Sequence, residues 1–265
     1  MTGQDQGVPW KLFGAEAIGT AALLAVGLSV VIFDFGTGSP MIGLLPDPAA
    51  RRLVTGFLFG TTGAAIAMSP LGKESGAHIN PIVTLAFWLM GTLKARHALG
   101  YFAAQMAGAA IGSLPLIAWG MMGRSIAFGA TTPGAAYGTL GAFLGETATS
   151  FALIFALFAF LRHKGLKRFT PALFPPLYAV MVWLEAPISG TSTNPARSFG
   201  PSLISGVWSG WWVYWLGPLA GALIAVALYH RAGWKREAIT VAKIFHFEHD
   251  RYGVFHAATR AAPPP

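Results

Sequence analysis

Cysteine is absent from this 265-residue sequence, and charged side chains are scarce. Without thiols the chain can form neither disulfide bonds nor thiolate metal sites. Charged residues make up 11% of the chain, whereas a soluble protein carries about a quarter. Hydrophobic residues make up 54% and aromatic residues 13%. This composition excludes an ordinary soluble domain and predicts a protein that lies in a lipid bilayer.

Six apolar runs are long enough to cross a bilayer, which takes about 18 or more residues. They cover residues 12–33, 53–70, 98–122, 137–161, 170–188 and 207–230. Two shorter runs, 81–90 and 195–204, cannot cross alone, because ten helical residues reach about 15 Å of a core about 30 Å thick. We predict an all-α membrane protein with six transmembrane helices and two re-entrant half-helices. The first run is too long for a cleavable signal peptide and remains as helix 1.

The basic residues behind the net charge of +8 lie mainly at the ends of the apolar runs. This placement indicates that they orient the protein in the membrane rather than bind nucleic acid. The basic residues that mark one side are Lys94, Arg96, Arg162, Lys164, Lys167, Arg168, Arg231, Lys235 and Arg236. Arg124 and the pair Arg51 and Arg52 lie on the other side, and the pair is an exception to the pattern. The bias predicts that both termini face the cytoplasm in a multi-pass protein of the inner or plasma membrane.

The polar stretch "SGAHINP", residues 75–81, has a counterpart in "SGTSTNPARS", residues 189–198, with Asn194 lying 114 positions after Asn80. Helix 1 contains "GAEAIGT" with Glu16, and helix 4 contains "GETATS" with Glu146. The chain therefore holds two copies of one plan, at about 11–122 and 137–231. Each copy has three crossings, an odd number, so the second copy is inverted relative to the first.

Asparagine followed by proline is a favoured helix start, and this alone explains many such pairs. Two copies in segments too short to cross indicate instead that the half-helices meet near the bilayer midplane. Their positive dipole ends repel cations there, and Asn80 and Asn194 offer N–H donors to a water oxygen. The carbonyls expected to line the path as acceptors belong to Gly76, Ala77, His78 and Ile79, and to Gly190, Thr191, Ser192 and Thr193.

These motifs resemble those of the aquaporins, or major intrinsic proteins, from about Lys11 to Arg231. The resemblance implies a passive channel for water and small uncharged solutes, with no enzymatic activity and no cofactor or metal. It also implies a homotetramer with one pore in each subunit. One residue departs from the family pattern: Ile82 stands where alanine is usual, so a bulkier side chain would either separate the half-helices or narrow the pore.

The resemblance also implies a selectivity filter. Arg197 follows the second motif, and counting from it places the helix 5 position on Val182, where water-selective members usually have histidine, and the loop position on Thr191. The helix 2 position falls on Gly60 or, with one insertion, on Phe59. Ser198, Tyr214 and Trp215 resemble the water-channel branch, whereas Val182 does not, so water and small neutral solutes both remain candidate substrates.

Other polar residues have competing interpretations. Glu16 and Glu146 are either proton carriers or, as their matched places favour, acceptors that support the loops. His78 is expected to fix its loop rather than to bind metal. Glu185 is expected to lie near the outer mouth of the pore, where its carboxylate can pair with Arg197. We expect residues 1–231 to form the channel domain and residues 232–265 a disordered or loosely attached cytoplasmic tail.

Two other functions remain as alternatives. A facilitator of glycerol, urea or ammonia would share the whole architecture. An ion-coupled secondary transporter would share the inverted repeat, but it usually needs a titratable group at the midplane, where this chain has asparagines.

Overall fold

A computed structural model describes residues 8–231 and 239–255. Within these residues the chain is built from helices. They are α1 (Trp10–Phe35), α2 (Pro40–Leu44), α3 (Pro48–Met68), α4 (Pro70–Ser75), α5 (Pro81–Leu89), α6 (Ala95–Ser113), α7 (Gly120–Arg124), α8 (Gly138–Arg162), α9 (Thr170–Ser189), α10 (Pro195–Ser205) and α11 (Val213–Arg231), with 3₁₀ turns at Leu114–Trp119, Ala127–Gly129 and Lys167–Phe169. The predicted basic residues Lys235 and Arg236 lie outside the described residues.

The six long helices are the predicted transmembrane helices, and five of them have the length and hydropathy that a bilayer crossing requires. The sixth, α3, has 21 residues but carries Arg51 and Arg52 in its first turns, which lowers its hydropathy. The third crossing differs from its prediction, because α6 ends at Ser113 and a 3₁₀ turn follows. Pro115 lacks the N–H that would continue the helix, so the chain tightens there.

The long helices pack in pairs whose arrangement repeats between the two halves. A Cβ atom added at Gly108 of α6 would lie 2.2 Å from the Ala17 carbonyl of α1, and one at Gly221 of α11 would lie 2.3 Å from the Thr147 carbonyl of α8. The pair α3 and α9, one helix from each half, meets as closely at Gly56 and Gly60. Small residues allow backbones to touch in a bilayer, where packing replaces the hydrophobic effect. The predicted inverted repeat is therefore present as matched helix pairs.

The short helices α5 and α10 are the predicted half-helices. They have 9 and 11 residues, or about 14 and 16 Å of helix, and their N-termini meet inside the helix bundle. Asn80 caps α5 by accepting a bond from Ile82 N at 2.9 Å, and Asn194 caps α10 by accepting from Ala196 N at 3.0 Å. The proline that follows each asparagine occupies the first helical position, where no N–H is needed.

Residues 239–255, here called the tail segment, correct the expectation of a disordered tail. Ile239, Ala242, Lys243 and Phe255 are all buried, and Ala242 N donates to the Phe255 carbonyl at 2.8 Å. The expectation was based on the polar composition of residues 232–265 as a whole, whereas residues 239–255 contain apolar side chains between polar ones, and these reach the core. The predicted tail residues 232–238 and 256–265, including His256, lie outside the described residues.

The helix interfaces generate a stability prediction. We expect Gly221→Ala to lower the free energy of unfolding by about 1–3 kcal/mol, because the new methyl group overlaps the α8 backbone. Gly14 has open space around its Cβ position, so Gly14→Ala is the matched control and should change stability by less than about 1 kcal/mol. Thermal unfolding in detergent, followed by circular dichroism, measures both. Equal midpoints for the two variants would contradict the close packing of α8 and α11.

Candidate functional site

The two half-helices are joined crosswise by their capping asparagines. Asn80 Nδ2 donates to the Thr193 carbonyl at 2.9 Å, and Asn194 Nδ2 donates to the Ile79 carbonyl at 2.9 Å. Each asparagine therefore caps its own helix with the side-chain oxygen and holds the opposite loop with the amide nitrogen. An amide nitrogen carries two N–H groups, so each retains a second donor beyond the bond to the opposite loop.

The two loops before the half-helices share one backbone conformation. φ is +83° at Gly76 and +88° at Gly190, and it is again positive at Ile79 (+42°) and Thr193 (+50°). For β-branched residues a positive φ is a strained conformation that the surroundings must maintain. The residue after each glycine also has a positive φ, so the backbone of both loops is non-helical up to the start of the half-helices.

Two buried carboxylates maintain these loops. Glu16 accepts a bond from Ile79 N and one from Gln105 Nε2 at 2.8 Å. Glu146 accepts from Ser192 N at 2.6 Å and from Thr193 N at 2.8 Å, and the Ser189 hydroxyl donates to it at 2.6 Å. The strained residues Ile79 and Thr193 are thus held by equivalent acceptors. Both glutamates are fully buried.

Tyrosine hydroxyl groups repeat the same support on the flanking helices. Tyr101 of α6 donates to the Ser75 carbonyl at 2.5 Å, and Tyr214 of α11 donates to the Ser189 carbonyl at 2.9 Å. Sequence reasoning assigned no role to Tyr101. The repeat could have indicated it: Ser75 and Ser189 begin the two matched motifs, so a tyrosine that supports one serine carbonyl predicts a second tyrosine for the other.

Two neighbouring cavities lie inside the helix bundle, and the two asparagines line the smaller one. The first, here called the vestibule, offers about 320 Å³ to the centres of water molecules and is lined by Val182, Thr191 and Arg197 among others. The second, here called the narrow cavity, offers about 40 Å³ and is lined by Ala77, His78, Asn80 and Asn194 among others. At 10–15 Å³ for each molecule, the narrow cavity has room for about three waters.

Phe59 and Tyr178 line both cavities and therefore lie between them. Their ring centroids are 5.7 Å apart, and the Tyr178 hydroxyl lies 3.1 Å from Thr193 Oγ1. Gly60 borders only the narrow cavity, where a Cβ atom would lie 2.4 Å from the Phe174 carbonyl of α9. Sequence reasoning missed Tyr178. It precedes Val182 by four residues, the spacing that places two side chains on one helix face.

Arg197 is buried, 5% exposed, and borders the vestibule. Its Nη1 donates to the Gly129 carbonyl at 2.6 Å, so the chain between α7 and α8 holds the guanidinium in place. A hydroxyl chain fixes this segment to the second loop, since Ser198 Oγ lies 2.6 Å from Thr131 Oγ1 and 2.6 Å from Ser192 Oγ. Val182 is on the vestibule wall as well, so an apolar and a cationic side chain border the same space.

Four of the eight predicted pore carbonyls accept hydrogen bonds from protein donors, namely those of Gly76, Ile79, Ser192 and Thr193. Gly76, Ser192 and Thr193 lie outside the linings of the two cavities, whereas Ile79 and Gly190 lie within them. The Gly76 carbonyl accepts from Ile244 N at 3.1 Å, and the Ser192 carbonyl accepts from Thr193 Oγ1 at 2.7 Å. The sequence could not reveal these donors, because one of them comes from the tail segment.

Two residues that raised questions are placed away from the path. Ile82 is buried in the core beside the α5 cap and lines neither cavity. Glu185 is buried at 5% exposure, and its carboxylate packs on Gly145 of α8, where a Cβ atom would lie 2.5 Å from Oε1. Within residues 8–231 and 239–255, Glu185 forms no ion pair with Arg197. Glu185 is therefore buried between α9 and α8, and the expected pairing with Arg197 is not present among these residues.

Comparison with known sequences agrees with this geometry. The sequence profile of the family described as Major intrinsic protein matches residues 5–229. The chain belongs to the major intrinsic protein family. Members of this family are channels rather than enzymes, and the chain is accordingly a multi-pass membrane protein.

Relatives and a solved structure extend the comparison. Aquaporin TIP1-2 of Zea mays is 34% identical over 217 residues, which cover 78% of this chain and 84% of the relative. Aquaporin-6 of Rattus norvegicus is 32% identical over 222 residues, covering 79% and 74%. The crystal structure of the aquaglyceroporin from Plasmodium falciparum has a TM-score of 0.66 at 19% identity and covers 83% of this chain and 95% of its own. At that identity the likeness concerns the fold.

The loop supports generate a second prediction. We expect Glu146→Ala to lower the free energy of unfolding by about 3 kcal/mol or more, because it leaves the Ser189, Ser192 and Thr193 donors buried without an acceptor. Glu146→Gln keeps one acceptor oxygen and should cost less. Thermal unfolding and size-exclusion chromatography in detergent compare the two. Unchanged stability in Glu146→Ala would contradict the role of Glu146 in supporting the loop and would favour the proton-carrier interpretation.

Proposed function

We propose that this protein is a passive channel for water that excludes ions and protons. The observation that carries the proposal is the crosswise pairing of Asn80 and Asn194, which fixes two helix N-termini against each other at the narrow cavity, next to the vestibule. A structural membrane protein has no need for such a junction. Non-helical backbone at membrane depth is tolerated where protein buries it or where it lines a water path.

Cation exclusion follows from the two helix ends. Each half-helix N-terminus carries a partial positive charge of about half an elementary charge. A cation at the junction meets both ends, and the buried carboxylates of Glu16 and Glu146 are already engaged by backbone and side-chain donors. The same engagement argues against a proton-coupled transporter, since neither carboxylate lines a cavity.

Proton exclusion follows from the orientation of water. A water oxygen that accepts from the second N–H of Asn80 and of Asn194 must turn both of its hydrogens away from the junction. The hydrogen bonds on the two sides then point in opposite directions, so no continuous chain carries a proton through. The narrow cavity holds about three waters in a limited space, which favours single-file passage.

Two constrictions set the range of solutes. Arg197 and Val182 border the vestibule, where the arginine supplies donors and the valine leaves apolar space. Phe59 and Tyr178 form a second constriction between the vestibule and the junction. The valine favours small neutral solutes such as glycerol, urea or ammonia as secondary substrates, and the aromatic pair limits their size. Water is therefore the main substrate of the proposed channel.

The assembly and orientation are also part of the proposal. The channel acts as a homotetramer in the cell membrane, with its termini in the cytoplasm. Lys94 follows α5, Arg162 is the last residue of α8, and Arg231 is the last residue of α11. The positive-inside rule assigns the side of the membrane that carries these basic residues to the cytoplasm.

The function is tested in proteoliposomes by stopped-flow light scattering. We expect sucrose gradients to drive water efflux that is faster than in empty vesicles, urea and glycerol gradients to show slower solute entry, and an internal pH dye to show no proton leak. A rate that is linear with the gradient indicates a channel, whereas saturation with proton coupling indicates a transporter. Water permeability equal to that of empty vesicles would overturn the proposal.

Asn194→Asp provides the matched test of the junction. It places a carboxylate between two positive helix ends and removes a donor, so we expect a proton or cation leak while water still passes. Asn194→Asp protein that is correctly assembled and as tight to ions as the parent would show that the junction does not exclude ions.

The aromatic constriction generates its own prediction. Tyr178→Val removes the ring beside Phe59, and we expect the ratio of glycerol to water permeability to rise on the order of tenfold, as for a barrier about 1.4 kcal/mol lower. Tyr178→Phe keeps the ring and loses only the bond to Thr193, so its ratio should stay near the parent value. If the ratio is unchanged in Tyr178→Val and falls in Val182→His, the vestibule alone sets selectivity.

A further inference from the structure

We propose that the tail segment closes one mouth of the pore and that the channel opens when this segment undocks. The inference rests on the proposed water channel, but it concerns residues beyond the family match, which ends at residue 229. The tail segment lies against the first re-entrant loop, on the side of the narrow cavity.

Backbone bonds join the tail segment to this loop. Ile244 N donates to the Gly76 carbonyl at 3.1 Å, and His78 Nε2 lies 2.8 Å from the Ala242 carbonyl. A carbonyl only accepts, so Nε2 carries the proton of this bond. The fit is close, since a Cβ atom at Gly76 would lie 3.0 Å from the Ala242 carbonyl oxygen and 3.2 Å from Lys243 Cγ. The tail segment thus forms a hydrogen bond with the Gly76 carbonyl, which the sequence analysis assigned to the water path.

Ile244 then borders the pore itself. It is 3% exposed and lines the narrow cavity together with Ala77, His78 and Asn80. The volume of this cavity is about 40 Å³, compared with about 320 Å³ in the vestibule. Ile244 of the tail segment is one of the side chains that fill the narrower space.

Lys243 anchors the docked segment. It is fully buried, and its Nζ donates to the Lys73 carbonyl at 2.5 Å and to the His249 carbonyl at 2.7 Å. Burial lowers the pKa of Lys243 to about 8, against the raising effect of Asp250 and Glu74. The ammonium is therefore still mainly charged at neutral pH, and both bonds are charge-assisted. Its distance of 4.7 Å to the Phe255 ring centroid adds a cation–π contact.

Side chains along the segment add further contacts. His249 Nε2 lies 3.1 Å from Glu74 Oε1, and Lys167 Nζ lies 4.2 Å from the ring centroid of Phe247. Ile239 and Phe255 are buried in the same core as the long helices. The tail segment is therefore docked by buried apolar side chains as well as by polar contacts.

The docked segment also connects to the loop supports. Ala242 accepts from His78, and the other ring nitrogen of His78 lies 3.1 Å from Thr84 Oγ1. Gln105 Nε2 donates both to Thr84 Oγ1 at 2.9 Å and to Glu16 at 2.8 Å. Docking therefore completes a hydrogen-bond chain that ends at the carboxylate holding the first loop.

The first test compares water permeability per channel in proteoliposomes. Lys243→Ala removes the buried anchor, and we expect permeability to rise about tenfold, because loss of a charge-assisted bond shifts the docked population by about that factor. Arg251→Ala is the matched control, since Arg251 is exposed on the same segment, and it should behave as the parent. Hydrogen exchange at the Ile244 amide reports docking directly and should be fast only in Lys243→Ala.

The second test locks the segment. The chain has no cysteine, so Glu74→Cys with His249→Cys creates the only thiols. A short bis-methanethiosulfonate linker should join these partly exposed positions and hold the mouth closed, with low permeability even when Lys243→Ala is also present. Dithiothreitol should release the linker and restore the high permeability of that variant.

The outcomes separate the two proposals. Equal, fast water flux in the parent, Lys243→Ala and the linked protein would overturn closure by the tail segment and leave the water channel intact. Water flux at the level of empty vesicles in all of them would overturn the water channel and closure with it. Fast exchange at Ile244 in the parent would show that the segment is not docked and would also overturn closure.

Discussion

The pairing of each asparagine with the opposite loop is the interaction on which the rest of the structure depends. Asn80 and Asn194 use one oxygen to start a helix and one nitrogen to hold the other half of the chain. Neither half-helix spans a bilayer, so each needs the other to form a continuous structure at that depth. Both loops must then adopt strained, non-helical backbone, and the cost is offset by fixed partners rather than by water.

Those partners explain why polar groups are buried deep in an apolar chain. Glu16 and Glu146 accept the amides of the loops, and the tyrosines at 101 and 214 donate to their first carbonyls. A buried carboxylate is expensive unless donors surround it, and a strained loop is unstable unless its amides have acceptors. The loop amides therefore supply the donors that the carboxylates require, and the carboxylates supply the acceptors that the amides require. In the proposed channel the chemistry of the asparagine pair is therefore carried by backbone and amide groups, while the two buried glutamates support the loops.

In the proposed channel, selectivity and access depend on elements outside the doubled motif. Phe59 and Tyr178 lie between the two cavities, and Ile244 borders the narrow cavity. The junction is common to both repeats, whereas these residues are not related by the repeat. The proposed channel can keep its ion barrier unchanged while different side chains set its solute range and its degree of opening.

The sequence by itself determined the membrane class, the six crossings, the two half-helices and the inverted repeat, because these follow from run length, motif spacing and an odd number of crossings. It also identified Asn80, Asn194, Arg197 and the glutamates as candidates, since polar residues in apolar segments are rare enough to stand out. Only the tertiary structure decided that Tyr178 faces Phe59 and that the tail segment docks at Gly76. Those contacts join residues far apart in the chain, and their side chains are ordinary for their local sequence, so no local pattern marks them.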